Sequence, residues 1–169
     1  MQDNDAAKNL PVSGNISALK KRAIDQGDHE STDSALEQRA EPANTQQILV
    51  VEDDLTLANL EASILQAHGF TVVTVNSGEL AITILRHSIP DLVVLDLELT
   101  GKIGGWDVLE VLRASATIPV LLTTSSTVAV RQYRYNRGET RETLDHLPKP
   151  YPMQTLLKRV KRMLMLAPQ

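Results

Sequence analysis

The second part of this chain predicts an α/β fold, a doubly wound five-stranded parallel sheet with helices on both faces. Three observations carry that prediction. Each strand candidate is a short, nearly continuous apolar run, the habit of a strand buried on both sides. The candidates alternate five times with amphipathic helical segments through short connections, which implies right-handed crossovers. Polar residues with chemical potential stand just past the strand ends, on the edge of an open α/β sheet where ligands bind.

Composition bounds the rest. The chain has 169 residues, 42% hydrophobic and 22% charged, with a formal net charge of -4. That fits one domain plus a tail, and about 120 residues bury a sizeable core without staples. The absence of cysteine excludes disulfides and thiolate metal sites. Met1 to Asp5 lacks the basic-then-apolar pattern of a secretory signal, and no apolar run approaches a membrane span. A cytoplasmic protein with no membrane partner is therefore expected. The mild acidity argues against nucleic acid as the main partner.

Residues 1–46 are polar and contain no aromatic residue, so they cannot bury enough apolar surface to offset their ordering entropy. They are expected to form a disordered or weakly helical tail, with a docking segment as the alternative. The folded domain is expected over 47–166, with 167–169 as its C-terminal end. Ile48 to Val51 reads as the first strand, ending in Glu52-Asp53-Asp54. A helix with Leu57, Leu60, Ile64 and Leu65 on one face closes at His68-Gly69. Phe70 to Val75 is the second strand, followed by a helix carrying Leu80, Ile82, Ile84 and Leu85. Asp91 to Asp96, between Pro90 and a loop containing Gly101, is the central strand. Trp106 to Leu112 is a third helix and Ile118 to Leu122 a fourth strand, terminated by Thr123-Thr124-Ser125-Ser126. Thr127 to Thr143 is polar and Arg-rich, and its pattern fixes no element. If it is helical, Arg131, Arg134, Arg137 and Arg141 fall near one face. Leu144 to Leu147 is the fifth strand, before Pro148-Lys149-Pro150, and the last helix carries Leu156, Leu157, Val160, Met163 and Leu164.

Parallel strands send their C-terminal ends to one rim, which here collects Glu52, Asp53, Asp54, Asp96, Thr124 and Lys149. Carboxylates are hard donors, and two or three of them with carbonyls and water suit Mg²⁺. Two carboxylates about 5 Å apart repel by roughly 3 kcal/mol at an effective dielectric near 20, so a cation belongs between them. Lys149 and Mg²⁺ both qualify. A carboxylate beside Mg²⁺ can attack a phosphoryl group to form an aspartyl phosphate, with the lysine and a threonine hydroxyl stabilising its oxygens. The cluster is expected to cost stability without metal, so that Asp53→Ala leaves the metal-free protein at least as stable as wild type.

The ordered set Ile48-Leu49-Val50-Val51-Glu52-Asp53-Asp54, Asp91-Leu92-Val93-Val94-Leu95-Asp96, Ile118-Pro119-Val120-Leu121-Leu122-Thr123-Thr124 and Leu147-Pro148-Lys149-Pro150 resembles the receiver domain of two-component response regulators. The resemblance runs from about Gln47 to Leu166. It implies the flavodoxin-like strand order 2-1-3-4-5. It implies that Asp96 is the phosphoacceptor, taking a phosphoryl group from a phosphohistidine on a sensor histidine kinase or phosphotransfer protein. Asp53 would ligate Mg²⁺ directly, Glu52 partly through water, and Glu98 through its backbone carbonyl. Lys149 would pair with the phosphoryl group, Thr124 would be the switch hydroxyl, and His146 stands at the aromatic switch position. A single-domain response regulator is expected, a regulatory acceptor that assists its own phosphorylation and dephosphorylation rather than an enzyme. A downstream protein partner would engage residues 127–150. The chain departs from the family in having Thr100 where Pro is frequent, His146 in place of Tyr or Phe, and Glu142-Thr143 in place of a small Gly-Ala pair. The alternative is a degenerate receiver that docks partners independently of phosphorylation. A haloacid-dehalogenase-like hydrolase is disfavoured because Glu98 replaces the second Asp and too little chain follows Asp96. A nucleotide-binding domain is disfavoured because both glycine-rich phosphate motifs are absent.

Overall fold

The structure, a computed structural model, describes residues 45–166; the expectations for the N-terminal tail and for 167–169 lie outside the described residues. The elements follow in strict alternation: β1 (Gln47–Val51), α1 (Leu55–Gln66), β2 (Thr71–Val75), α2 (Gly78–His87), β3 (Leu92–Asp96), α3 (Gly105–Ser115), β4 (Val120–Thr124), α4 (Thr127–Arg137), β5 (Leu144–Pro148) and α5 (Met153–Leu166). The strands form one five-stranded sheet in the order β2-β1-β3-β4-β5. All four pairings are parallel. Every residue of β3 and of β4 is buried, which is why both read as unbroken apolar runs up to their last residues.

Strand alternation sorts the core into two layers. Leu49, Val51, Val93 and Leu95 pack with Ala81, Leu85, Val108 and Leu112 of α2 and α3. Ile48, Val50, Leu92 and Val94 pack with Leu65 of α1 and Leu156, Val160 and Met163 of α5. Asp96 lies two residues past Val94 and Glu52 two past Val50. The period of two therefore aims both carboxylates toward the α1 and α5 side, at the rim.

Several sequence expectations are corrected. In α1 the buried residues are Ala58, Glu61, Ala62 and Leu65, whereas Leu60 is 52% exposed. The small alanines let the helix approach the sheet, so apolar size misassigned its inner face. Leu80, at the first turn of α2, is also largely exposed. Strand β4 begins at Val120 rather than Ile118, because Pro119 has no N–H to give to a ladder. It continues through Thr123 and Thr124, which pair with Asp96 and Pro148. The Arg-rich stretch forms α4, anchored inward by Val130. Tyr133 packs against Trp106 with ring centroids 5.1 Å apart. Gly138, at φ 66, closes the helix in the left-handed conformation that glycine adopts without strain. Arg141 lies beyond the helix and Arg137 turns to α3, where it pairs with Glu110 at 2.7 Å, so the four arginines do not share one face.

Candidate functional site at the carboxyl edge of the sheet

The rim is held by backbone bonds that continue the ladders past the strands. Glu52 N–H donates to Val75 O, Leu97 N–H to Thr123 O, and Lys149 N–H to Thr124 O. Glu52, Asp96 and Thr124 are each 2% exposed. On the other side, Gly105 opens α3 so close to Asp96 that a Cβ there would collide with the Asp96 carbonyl oxygen and with Leu97 Cα.

Lys149 occupies the centre. Its Nζ lies 2.9 Å from Glu52 Oε2 and 2.8 Å from Asp96 Oδ2. Asp96 Oδ1 accepts a 2.9 Å bond from the backbone N–H of Glu98. The Glu52 carboxyl is pushed above its ordinary value, chiefly by burial, with Lys149 opposing and the Asp96 charge adding. Lys149 is held above its ordinary value because the hydrogen bonds and charges of Asp96 and Glu52 outweigh its own burial. One ammonium thus serves two buried carboxylates.

Asp53 behaves differently. The Thr100 N–H donates to Asp53 Oδ2 at 2.9 Å and the Thr100 hydroxyl donates to the same oxygen at 2.6 Å. The hydroxyl bond is the largest cause holding the Asp53 carboxyl below its ordinary range. Thr100, which departs from the family's frequent proline, therefore fixes the acid that the resemblance assigns to direct metal ligation. This contradicts the expectation that Asp53 is a source of instability. Asp53→Ala should lower the stability of the metal-free protein by about 1 kcal/mol, the net worth of partly exposed hydrogen bonds. Urea denaturation without and with Mg²⁺ checks this, and the variant should lose any Mg²⁺-dependent gain in midpoint.

Asp54 stands apart as the N-cap of α1, accepting from the N–H groups of Thr56 and Leu57. Oxygen atoms of Glu52, Asp53 and Asp96 lie within 4.8 Å of one another. Three hard anionic donors around one lysine fit a divalent cation of the Mg²⁺ kind, which keeps several waters and takes one or two carboxylates.

Beside the site runs a link between the β3 and β4 loops that sequence reasoning missed. Glu98 is exposed, and its Oε1 accepts from the Ser125 N–H at 2.9 Å and from the Ser125 hydroxyl. The Ser125 hydroxyl is the main cause of the lowered pKa of Glu98. Thr124 Oγ1 accepts from the Ser126 N–H at 2.9 Å, so its hydroxyl engages the start of α4 rather than Asp96. Register places His146 beside Leu122, on the same face as Thr124 and under α4. Its half-buried ring keeps Nδ1 without a hydrogen-bond partner, and its pKa is lowered, first by burial and further by Arg134, Arg131 and Arg141 against the opposing charge of Asp145.

Behind the site lies a second missed group. Glu61 is fully buried on α1; its Oε1 accepts a 2.6 Å bond from the Tyr151 hydroxyl and its Oε2 has no hydrogen-bond partner. Burial raises its pKa to about 7. A polar residue in a helix carries no sequence signal that it faces inward, and its partner Tyr151 lies 90 residues away.

A parallel sheet in this order, with a buried aspartate, two further acids, a threonine and a lysine on its carboxyl rim, defines a receiver of two-component signalling. The chain belongs to the response regulator receiver domain family, whose family model matches residues 48–161. It is 37% identical over 116 residues to the DNA-binding response regulator MtrA of Mycolicibacterium paratuberculosis, covering 69% of this chain and 50% of that protein. It is 32% identical over 117 residues to the sensory transduction protein RegX3 of Mycolicibacterium smegmatis, again 69% of this chain and 50% of the relative. The chain thus spans about half the length of the curated relatives it matches. The crystal structure of a response regulator receiver protein from Sinorhizobium medicae is similar with a TM-score of 0.62 at 26% identity, covering 72% of this chain and 96% of that one. No helix among the described residues is long and apolar enough to cross a membrane.

Proposed function

We propose that the folded unit over 47–166 is a phosphoacceptor switch in which Asp96 receives a phosphoryl group from a phosphohistidine of a sensor histidine kinase or phosphotransfer protein. The observation that carries this reading is the triple constraint on Asp96: 2% exposed, one oxygen on the Glu98 N–H and the other on Lys149. Those bonds orient a carboxylate at the sheet edge without consuming its nucleophilic lone pairs. Attack of an Asp96 oxygen on phosphorus forms the new P–O bond as the P–N bond of the donor breaks, and the departing imidazole takes up a proton. Lys149 then exchanges part of its contact with Asp96 for a phosphoryl oxygen. Mg²⁺, when bound, supplies positive charge to the phosphoryl oxygens; Asp53, Glu52, Asp96 and the Glu98 carbonyl would hold it. The presence of these groups in one place favours this reading over the degenerate docking module. The setting is cytoplasmic, and the protein acts as a regulator that assists its own chemistry.

The test is intact mass after incubation with acetyl phosphate. One phosphoryl group should add with Mg²⁺ and none with chelator. No addition under either condition would favour the docking module.

Output is proposed through α4 and β5. Glu98 bonds Ser125, the neighbour of Thr124, so a phosphoryl group that draws Thr124 inward also disturbs the start of α4. Glu98→Ala should open the mouth to water and shorten the phosphoryl lifetime by about threefold, equivalent to about 0.7 kcal/mol on the barrier. Glu98→Gln, which keeps an acceptor for Ser125, should fall between. Dephosphorylation followed by mass or phosphate release checks this, and unchanged rates in both variants would remove Glu98 from the site.

A further inference from the structure

The α4–β5 surface carries positive charge that the described structure leaves uncompensated. Arg137 is taken by Glu110 and Arg113 by Glu139. Asp145, buried on β5, is taken by Arg159 and Arg162 of α5, at 2.6 and 2.5 Å. Arg131, Arg134 and Arg141 have no carboxylate partner among the described residues, and Arg134 Nε is buried without any hydrogen bond. Glu142, next to Arg141 in the chain, offsets at most one of these charges. On the outward face of the same helix, Val128 is 72% and Tyr135 is 88% exposed. Spaced by seven residues, they flank Arg131 on one stripe. This is a cationic surface with two apolar contacts, suited to an acidic segment that carries a few apolar side chains.

The chain contains such a segment. Between Asp25 and Glu37 lie five carboxylates, Asp25, Asp28, Glu30, Asp33 and Glu37, with no lysine or arginine, and the run ends in Ala35-Leu36-Glu37. Glu37 lies ten residue steps before Gln47, the start of β1, enough to span about 33 Å when extended. From β1 to β5 is three strand spacings, about 14 Å, and α4 lies roughly 10 Å above the sheet, so the segment can reach. Tethering raises its local concentration, so that pairs individually weak at a protein surface act together.

We propose that the acidic segment 25–37 docks in cis on the α4–β5 surface, against Arg131, Arg134 and Arg141, with Leu36 available to the Val128 and Tyr135 stripe. The proposal deepens the reading of α4–β5 as the output surface, because it gives the chain its own competitor for whatever partner binds there. An acidic partner would have to displace the segment.

The absence of cysteine permits a direct test in the full chain. A nitroxide on Ser34→Cys should broaden backbone amide signals within 127–146 at low salt, without phosphodonor. Broadening should vanish at roughly 0.5 M salt, where the Debye length is about 4 Å. It should also vanish when Asp28→Asn, Glu30→Gln, Asp33→Asn and Glu37→Gln are combined, and in Arg131→Glu/Arg141→Glu, both exposed positions. Adding Asp28→Lys, Glu30→Lys and Asp33→Lys to the latter should restore it. Uniform or absent broadening overturns the proposal. So does broadening of a label-free isotopically enriched chain mixed with the spin-labelled one, which would assign the contact to a second copy. Tight, salt-sensitive binding of an oligonucleotide with no cis broadening would assign the surface to nucleic acid and overturn it as well. Because no phosphodonor is present, a negative result leaves the role of Asp96 untouched, and hydrogen exchange across 124–146 with beryllofluoride tests the output surface separately.

Discussion

Asp96→Asn should reduce phosphoryl incorporation from acetyl phosphate to background, a loss of at least about 10³-fold, or about 4 kcal/mol on the barrier. The amide has no anionic lone pair with which to attack phosphorus. The variant should fold, because Asn accepts the Glu98 N–H as Asp96 does and Lys149 keeps its 2.9 Å contact with Glu52. Removing one of two carboxylates that share a single ammonium also relieves like-charge repulsion. The metal-free variant should therefore be no less stable than wild type, which separates lost chemistry from lost structure. Lys149→Ala makes the contrasting case. It leaves Glu52 and Asp96 buried with no cation, and breaking a buried pair in this way costs about 3–5 kcal/mol. Intact mass and urea denaturation on the two variants check both statements. Undiminished labelling of Asp96→Asn would move the acceptor elsewhere.

Glu61→Gln should stabilise the protein at pH 8 and remove the Glu61 contribution to the pH dependence expected of wild type. In the folded state burial lifts the Glu61 carboxyl from 4.5 to about 7, against the opposing Tyr151 hydrogen bond and with the charges of Glu52 and Asp96 adding and Lys149 opposing. The folded protein therefore binds a proton that the unfolded chain has already released between these values. Stability falls as pH rises through that window and levels off above it. A displacement of this size corresponds to about 3 kcal/mol at pH 8. Glutamine keeps an acceptor for the Tyr151 hydroxyl and carries no charge, so the fall caused by Glu61 should be missing from its curve between pH 5 and 8, leaving only the dependence of the other titrating groups. The two proteins should converge near pH 5. Denaturation midpoints at a series of pH values give the answer; parallel curves would show that Glu61 does not titrate in this range. The hydroxyl of Tyr151, pushed upward by burial and by Glu61, stays protonated throughout.

What the sequence disclosed follows the physics of burial. β1, β3 and β4 are buried along almost their whole length, and their runs end at polar residues, so both the sheet and its rim were legible. That Asp96, Glu52, Asp53 and Lys149 lie together was legible because parallel topology converts separate strand ends into one place. Helix α4 was not legible: it buries only Val130, and Tyr133 and Arg137 attach it to α3 through side-chain contacts. Glu61 went unread and Leu60 was placed inward for one reason, since polarity predicts an outward side chain only where an inward one would find no partner. Tyr151, 90 residues away, supplies one. Thr100 was visible as a departure from the family but not as a device, because its two bonds to Asp53 cross 47 residues.

The missing side chain of Gly105 has a mechanical consequence. With α3 starting hard against the Asp96 carbonyl, the strand end is backed on one side by packed main chain that cannot yield. Across the rim, the loop from β4 to α4 meets the β3 loop through the bonds of Ser125 to one exposed carboxylate, that of Glu98. The main chain at Asp96 is thus close-packed against the start of α3, whereas its loop meets the start of α4 through hydrogen bonds. A group added to Asp96 would meet main chain on the α3 side and breakable hydrogen bonds at the Ser125 side, as a wedge beside a fixed wall meets a free block. Close packing and a hydrogen-bonded link thus meet at one strand end, and only the second can be undone without moving main chain.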